Sequence, residues 1–513
     1  MRFRLVPALA LALCFVCFTG CGGDGQSPRT LYRLIHAVAD GGPVDVWLEG
    51  NRTKLFEAVA YKDVTEARTL APGIYNFQLR PAGAAGSTAP IAESGPVEID
   101  DDGGAFTFIA VGLLDVDEPD PDAARILAIE HEFGPMEDLM SVARFVHAAP
   151  GAPTLDVELD DNDPDPDDDN DSLVEDLERY TASDPIGVPV DSEDREQVRC
   201  YDSELDEFLT AFTTPLLTDQ GRYLMIFLGS LEASPRESSA FEMLVVGDDG
   251  SVWTVKQNPR IYLMNTVADA PSIDAHFRWL DPQGAPIGIP EELENGLLFG
   301  DLGGESAISL VMEPGNYEFS FTIPEDNPYP TVQPLLGSGT TGALLAGQQY
   351  LFCVSGRADQ TWPFQLVRAQ ELFSLDQVEP ENQDLWRIVH AAPDLTSVVL
   401  GRVVNNTFFQ MPEFPNAISA GDATAPEGTN IGLAEFALAV VRQTLTDQFG
   451  IWDVEPEPGA RQFVVLLGSL DGSPAPETFE RVRLTTVDTT VMPWALMEHF
   501  PIGDPANDPP DPE

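Results

Sequence analysis

The sequence predicts an all-β protein made of four tandem β-sandwich repeats, with a signal peptide ahead of them and a disordered tail behind. Three observations carry this. The apolar runs are short, rich in β-branched and aromatic residues, and punctuated by Gly, Pro and Asp. One pattern recurs four times at a domain-sized period. A chain of 513 residues implies three or four domains, each large enough to bury its own core.

The first element is an export signal. Arg2 and Arg4 give a positive start, and Leu5 to Phe18 (LVPALALALCFVCF) is apolar. That stretch is short for a membrane span, which needs about 20 residues. Phe18-Thr19-Gly20-Cys21 follows, and then Gly22-Gly23-Asp24-Gly25. The run resembles the lipobox of bacterial lipoproteins, in which the cysteine is acylated and becomes the new N-terminus. On that resemblance residues 1–20 are the signal peptide, Cys21 is the lipidation site, and 21–30 form a flexible tether. Palmitate-type chains, at about 0.8 kcal/mol per buried CH₂, would make the membrane itself a partner. The competing reading is an ordinary secretory signal in which Cys21 is incidental. Gly22, where an Asp would retain the protein at the inner membrane, resembles the sorting signal for the outer membrane of a Gram-negative envelope. No other segment has 18 consecutive apolar residues.

The repeats begin with LYRLIHAVADGGPVDV at Leu31, ARFVHAAPGAPTLDV at Ala143, RIYLMNTVADAPSIDA at Arg260 and LWRIVHAAPDLTSVV at Leu385. In each, a strand-like run ends in a marker residue, His36, His147, Asn265 or His390, followed by a turn and a second strand-like run. The markers are 111, 118 and 125 residues apart. A late strand recurs as AFTFIAVG, RYLMIFLG, QYLFCVSG and RQFVVLLG, and Pro-Gly-x-Tyr recurs at 72–75 and 314–317. The repeats are placed at 31–137, 142–254, 259–376 and 384–495, with an acidic insertion at 160–180 in the second. Residues 496–513, rich in Pro and Asp, are expected to be disordered.

The opening pattern resembles the bacterial domain-of-unknown-function family 4397: a hydrophobic strand, His-Ala-Ser/Ala-Pro-Asp-Ala-Pro, then a short Val-Asp-Val-like strand. His147-Ala148-Ala149-Pro150-Gly151-Ala152-Pro153 with Leu155-Asp156-Val157 matches best, and His390-Ala391-Ala392-Pro393-Asp394 next. The third copy departs at Asn265, and the fourth lacks the closing Asp. The resemblance implies secreted or surface-anchored, Ig-like modules, so the expected architecture is four tandem Ig-like β-sandwich domains. It implies no reaction.

The formal net charge is −58, and loss of Arg2 and Arg4 with the signal deepens it. Such a surface repels nucleic acid, which is excluded as a partner. Only three lysines, Lys54, Lys62 and Lys256, stand against 24 arginines. Beyond the signal and the lipidation site, Cys200 and Cys353 fall in different repeats, so no disulfide framework is expected.

Each of the first three markers has an Asp nine residues on: His36 with Asp45, His147 with Asp156, Asn265 with Asp274. A His–Asp pair suggests catalysis or half a metal site. Asn265 argues for structure instead, because Asn shares the N–H donor of His but is neither a general base nor a good metal ligand. His-Glu-x-x-His, Gly-x-Ser-x-Gly and phosphate-cradling glycine loops are absent.

The one cofactor the sequence raises is calcium. Residues 160–171 hold eight carboxylates and two Asn amides, and Asp163, Asp165, Asp167, Asp169 and Asp171 offer the hard oxygens that Ca²⁺ prefers. Their spacing resembles Asp-rich thrombospondin-type loops. The competing reading is a solvated acidic insertion. Ser172-Leu173-Val174-Glu175 reads as a capping box opening a short helix to about Tyr180.

The expected function is that of a membrane-anchored envelope lipoprotein, not an enzyme, whose modules bind a glycan or another envelope protein. A passive structural component and an envelope hydrolase are the alternatives. Clustered aromatics would favour binding, featureless acidic faces the structural reading, and a cleft of converging carboxylates with a raised pKa the enzyme.

Overall fold

The computed structural model describes residues 30–50, 54–99, 104–114, 116, 120–131, 133, 139–160, 172–190, 195–267, 269–270, 272–303, 311–324, 335–358, 361–375, 382–443, 448–469, 482–491 and 493–499. Within them the fold is all-β, without an α-helix, and its strands form eight sheets that pair into four Ig-like sandwiches.

Every sandwich repeats one topology. The opening strand (Thr30–His36, Met140–His147, Arg260–Val267, Leu385–His390) runs parallel to the late strand (Ala105–Val111, Arg222–Leu228, Gln349–Gly356, Arg461–Leu467). The late strand then pairs antiparallel with Arg125–Glu130, Glu242–Gly247, Gln365–Gln370 or Arg483–Asp488. The second and fourth repeats add a fifth strand to this sheet, Val252–Lys256 and Ala495–His499. The facing sheet centres on the second strand of each motif: Val44–Leu48, Leu155–Asp160, Ser272–Trp279 and Ser397–Val404. In the fourth repeat this strand pairs with Phe436–Arg442, which pairs in turn with Gln448–Val454.

The opening and late strands read as continuous hydrophobic runs because both their faces are buried, as in the interior of parallel sheets. In the first repeat Tyr32, Leu34, Phe108 and Ala110 face the sandwich core, while Ile35, Ile109 and Val111 face outward. The outward set meets Val142, Val146, Leu224, Ile226 and Val246 of the second repeat in one apolar cluster. The third and fourth repeats are joined the same way: Tyr262, Met264, Leu351 and Cys353 pack on Leu385, Val389, Phe463 and Val465. Tyr262 stacks on Trp494 with ring centroids 4.1 Å apart. The second and third repeats instead meet through polar groups, with Arg236 gripping Glu371 by two hydrogen bonds of 2.7 and 2.9 Å. The four sandwiches are thus stitched as two sheet-on-sheet pairs. Cys200 lies in the core of the second sandwich and Cys353 in the contact between the third and fourth.

The expected short helix after Ser172 is a strand. Ser172–Leu177 pairs antiparallel with Leu155–Asp160, in the place that Lys54–Val59 occupies in the first repeat. A capping box is a local preference, whereas a vacant sheet edge offers a backbone partner along the whole strand. Leu173 and Val174 also gain the sandwich core, and that long-range gain overrides the local one.

Candidate functional site

The marker residues are wholly buried at the ends of the opening strands. His147 Nε2 donates to Pro153 O at 2.8 Å, and its Nδ1 accepts the N–H of Ala149 at 3.4 Å. His36 does the same toward Gly42 O and the N–H of Val38. His390 Nε2 donates to Leu395 O at 2.6 Å. Asn265 reproduces the pattern with an amide: Oδ1 accepts the N–H of Val267 at 3.0 Å, and Nδ2 donates to Leu297 O and Ala270 O. Each side chain spans the loop that links the two sheets. Burial holds the imidazoles neutral, pulling His147 and His390 down to about 4. In His36 and His147 one nitrogen donates and the other accepts, which leaves no free lone pair for a substrate or metal, whereas His390 Nδ1 is buried without a hydrogen-bond partner.

The neighbouring Asp does different work. Asp45 accepts the N–H of Ala58, Asp156 that of Asp176, and Asp274 that of Gly296, at 3.0, 2.7 and 2.8 Å. All three donors sit at positive φ, between 50 and 68°, in bulges of the adjoining strand. The carboxylate holds a kinked backbone N–H that the ladder leaves unpaired. In the fourth repeat Val399 replaces the Asp, and Thr407–Gln410 pairs without a register shift. The spacing His-x₈-Asp therefore serves two separate backbone sites and does not assemble a dyad.

Cys21 and the calcium candidates Asp163, Asp165, Asp167, Asp169 and Asp171 lie outside the described residues. Among the described residues no group of three or more His, Cys, Asp or Glu is placed to hold a metal ion, and no helix is long and apolar enough to cross a membrane.

One concave feature the sequence reading missed is a cavity of about 230 Å³ in the fourth sandwich, at the end away from His390. Its apolar wall is Trp386, Trp452 and Met497, and Glu455, Glu457 and Asp488 contribute carboxylates. Trp386 and Trp452 are buried, and the indole N–H of Trp452 donates to His499 O, tying the two sheets together at the cavity. Alternation along the strands sorts the charges. Gln462, Leu484, Thr486 and Asp488 face the cavity, whereas Arg461 and Arg483 occupy the opposite parity. Arg483 turns away to Phe299 O and Glu498. Among the described residues no lysine or arginine lines the cavity.

Behind this wall lies Asp384, 1% exposed. Its Oδ2 accepts the N–H of Glu457 at 3.0 Å, and the Trp386 indole N–H lies toward the same carboxyl. Burial pushes this carboxyl up to about 7, partly offset by the Glu457 N–H and the nearby Trp386 indole. The available signal was positional. Four residues before the marker the other repeats carry Tyr32, Ala143 and Ile261, and only the fourth has a Trp, within Asp384-Leu385-Trp386.

Fold and site together define a class, tandem Ig-like sandwiches whose opening motif is a structural turn. The family model described as domain of unknown function (DUF4397) matches residues 31–158, which is the family expected from the opening motif. The match spans the first sandwich and the opening two strands of the second. No curated protein matches. Among solved structures the chain is similar to the product complex of SpuA, a multi-modular glycogen-degrading pneumococcal virulence factor. Identity is 10% and the TM-score 0.14, over 60% of this chain and 37% of that one. The chain thus spans well under half the length of that protein.

Proposed function

We propose that this chain is a lipid-anchored envelope protein whose sandwiches serve binding, with the fourth-repeat cavity as the ligand site and the other modules as its scaffold. The observation that supports this most is the cavity itself. Two indoles and a thioether side chain stand beside carboxylate, amide and hydroxyl groups, the mix of apolar wall and few polar groups typical of ligand sites. A saccharide or a peptide segment of an envelope protein would suit that mix.

The anchor rests on Phe18-Thr19-Gly20-Cys21. Labelled palmitate should enter the wild type, and Cys21→Ala should abolish labelling and release the protein from membranes. Equal labelling of both forms removes the lipoprotein reading. The binding site is tested by screening envelope glycans and envelope proteins against the full chain and Met497→Arg, a change at a side chain 54% exposed on the cavity wall. Ligands lost in the variant support the reading. A screen without any Met497-dependent ligand favours a passive structural component.

A hydrolase draws on the carboxylates around the cavity and the raised Asp384. Asp384 is sealed behind Trp386 and Glu457, whereas a general acid must reach the atom it protonates. Turnover of any screened glycan that Asp384→Asn abolishes would overturn that preference.

A further inference from the structure

We infer that the fourth-repeat cavity recognises a guanidinium group carried on a flexible aliphatic stem, as an arginine side chain presents it. This deepens the binding reading above and rests on it.

Three independent features converge on that chemistry. The first is the sign of the lining. Glu455, Glu457 and Asp488 line the cavity, and strand parity turns Arg461 and Arg483 to the far side of the same sheet, so among the described residues no lysine or arginine neutralises the carboxylates there. The second is the aromatic wall. Indole rings attract cations, and Trp386 and Trp452, 3% and 1% exposed, floor the cavity beneath the open Met497 side chain, so that a planar guanidinium seated over them turns its edge N–H groups to the carboxylates. The third is Asp384. This carboxylate is almost completely buried, two residues before Trp386 along the extended chain, and is held by the Glu457 N–H and the Trp386 indole. In its ionised form its charge behind the Trp386 wall adds to the attraction felt by a cation seated in the cavity. The other sandwiches lack this arrangement, having Thr30 and Tyr32, Ser141 and Ala143, and Pro259 and Ile261 at the same two positions. The cavity volume of about 230 Å³ suits a single side chain more than a sugar chain.

The probe is a short peptide with one central arginine, compared with its citrulline counterpart, which keeps the shape and loses the charge. Binding to the full-length protein in non-ionic detergent is read by calorimetry and tryptophan fluorescence in about 0.15 M salt, where diffuse attraction to the acidic chain is screened. The citrulline peptide should bind at least tenfold more weakly. Glu455→Gln with Asp488→Asn should weaken the arginine peptide tenfold or more at an unchanged melting temperature. Glu204→Gln, at an exposed site in the second repeat, should leave it unaltered.

Equal affinity for arginine and citrulline, equal loss in the Glu204 variant, or equal affinity for a lysine counterpart overturns the inference. Free agmatine separates the sources. Binding as tight as the peptide assigns a small molecule, and weaker binding assigns a peptide, and either result supports guanidinium recognition. If a neutral glycan binds in a Met497-dependent way while the arginine peptide does not, the binding reading stands and this inference fails. If no probe and no screened ligand depends on the cavity, both fail.

Discussion

At the scale of single residues, the marker slot shows how one position can accept two chemistries. His147 and Asn265 share neither ring nor pKa, yet both accept an N–H two residues on and donate to a carbonyl of the same loop. His147→Asn should therefore melt close to the wild type. His147→Ala should destabilise the second sandwich by about 1–3 kcal/mol, the cost of unpaired buried backbone groups. Thermal melts of the two variants check this, and coincident curves would remove the argument. The buried rings also set an acid limit. His131, His147 and His390 titrate near 4 in the fold against 6.5 in the unfolded chain. The unfolded state binds more protons between those values, so their contribution is present above pH 6.5 and lost as pH falls toward 4. Asp384 has the opposite sign: its folded value of about 7 exceeds the ordinary 3.8, so its contribution is present below pH 4 and lost as pH rises through 7. Asp384→Asn should raise the melting temperature of the fourth sandwich at pH 8 and change it little at pH 4. A variant less stable than wild type at pH 8 would contradict this.

At the scale of elements, the late strand of every repeat closes on a glycine that the backbone requires. Gly112, Gly229, Gly356 and Gly468 all sit at positive φ. A Cβ on Gly229 would lie 2.0 Å from Ala240 O, a contact that no rotamer can relieve. Gly229→Ala should cost on the order of 3 kcal/mol or more, from the left-handed backbone and the overlap together. Denaturant titration checks it, and a loss under about 1 kcal/mol would show that the turn can rebuild. The glycines, the Pro-Gly-x-Tyr pair and the strand runs were legible in the sequence because each is dictated locally. In both Pro-Gly-x-Tyr copies the tyrosine hydroxyl donates to the carbonyl four residues back, from Tyr75 to Ala71 and from Tyr317 to Glu313. The strand at Ser172–Leu177 was not legible, because its local signal favours a helix and its partner strand lies across the Asp-rich insertion.

At the scale of the whole molecule, the pairing of sandwiches replaces four independent beads with two double units. The outer faces of the opening sheets are as apolar as the inner ones, so exposing them by separating a pair would cost heavily. Charge closes the first seam. Lys62 of the first repeat donates to Ser238 O and pairs with the buried Glu242 of the second. Limited proteolysis should accordingly leave each pair intact, with no early release of single sandwiches of about 110 residues. Residues 255–259 should resist early cutting, since Val252–Lys256 is a strand and Gln257 and Asn258 are buried. Accumulation of fragments near 110 residues would show that the paired sheets separate readily.

The sequence by itself determined the strand content, the fourfold repeat and the turn residues, because these depend on periods of two, on φ values and on spacings along the chain. It also displayed the Asp-rich run and the lipobox-like Cys21, whose roles remain chemical proposals. Only the tertiary structure decided that His and Asp nine residues apart serve separate backbone sites, since a strand turns successive side chains to opposite faces. Only it decided which hydrophobic face of each opening strand is core and which is seam, because a run buried on both sides carries no alternation to read. The cavity belongs to the same class. Trp386, Trp452 and Met497 come from three strands far apart in the chain, and the packing of two sheets around them gives that set a shape and a charge.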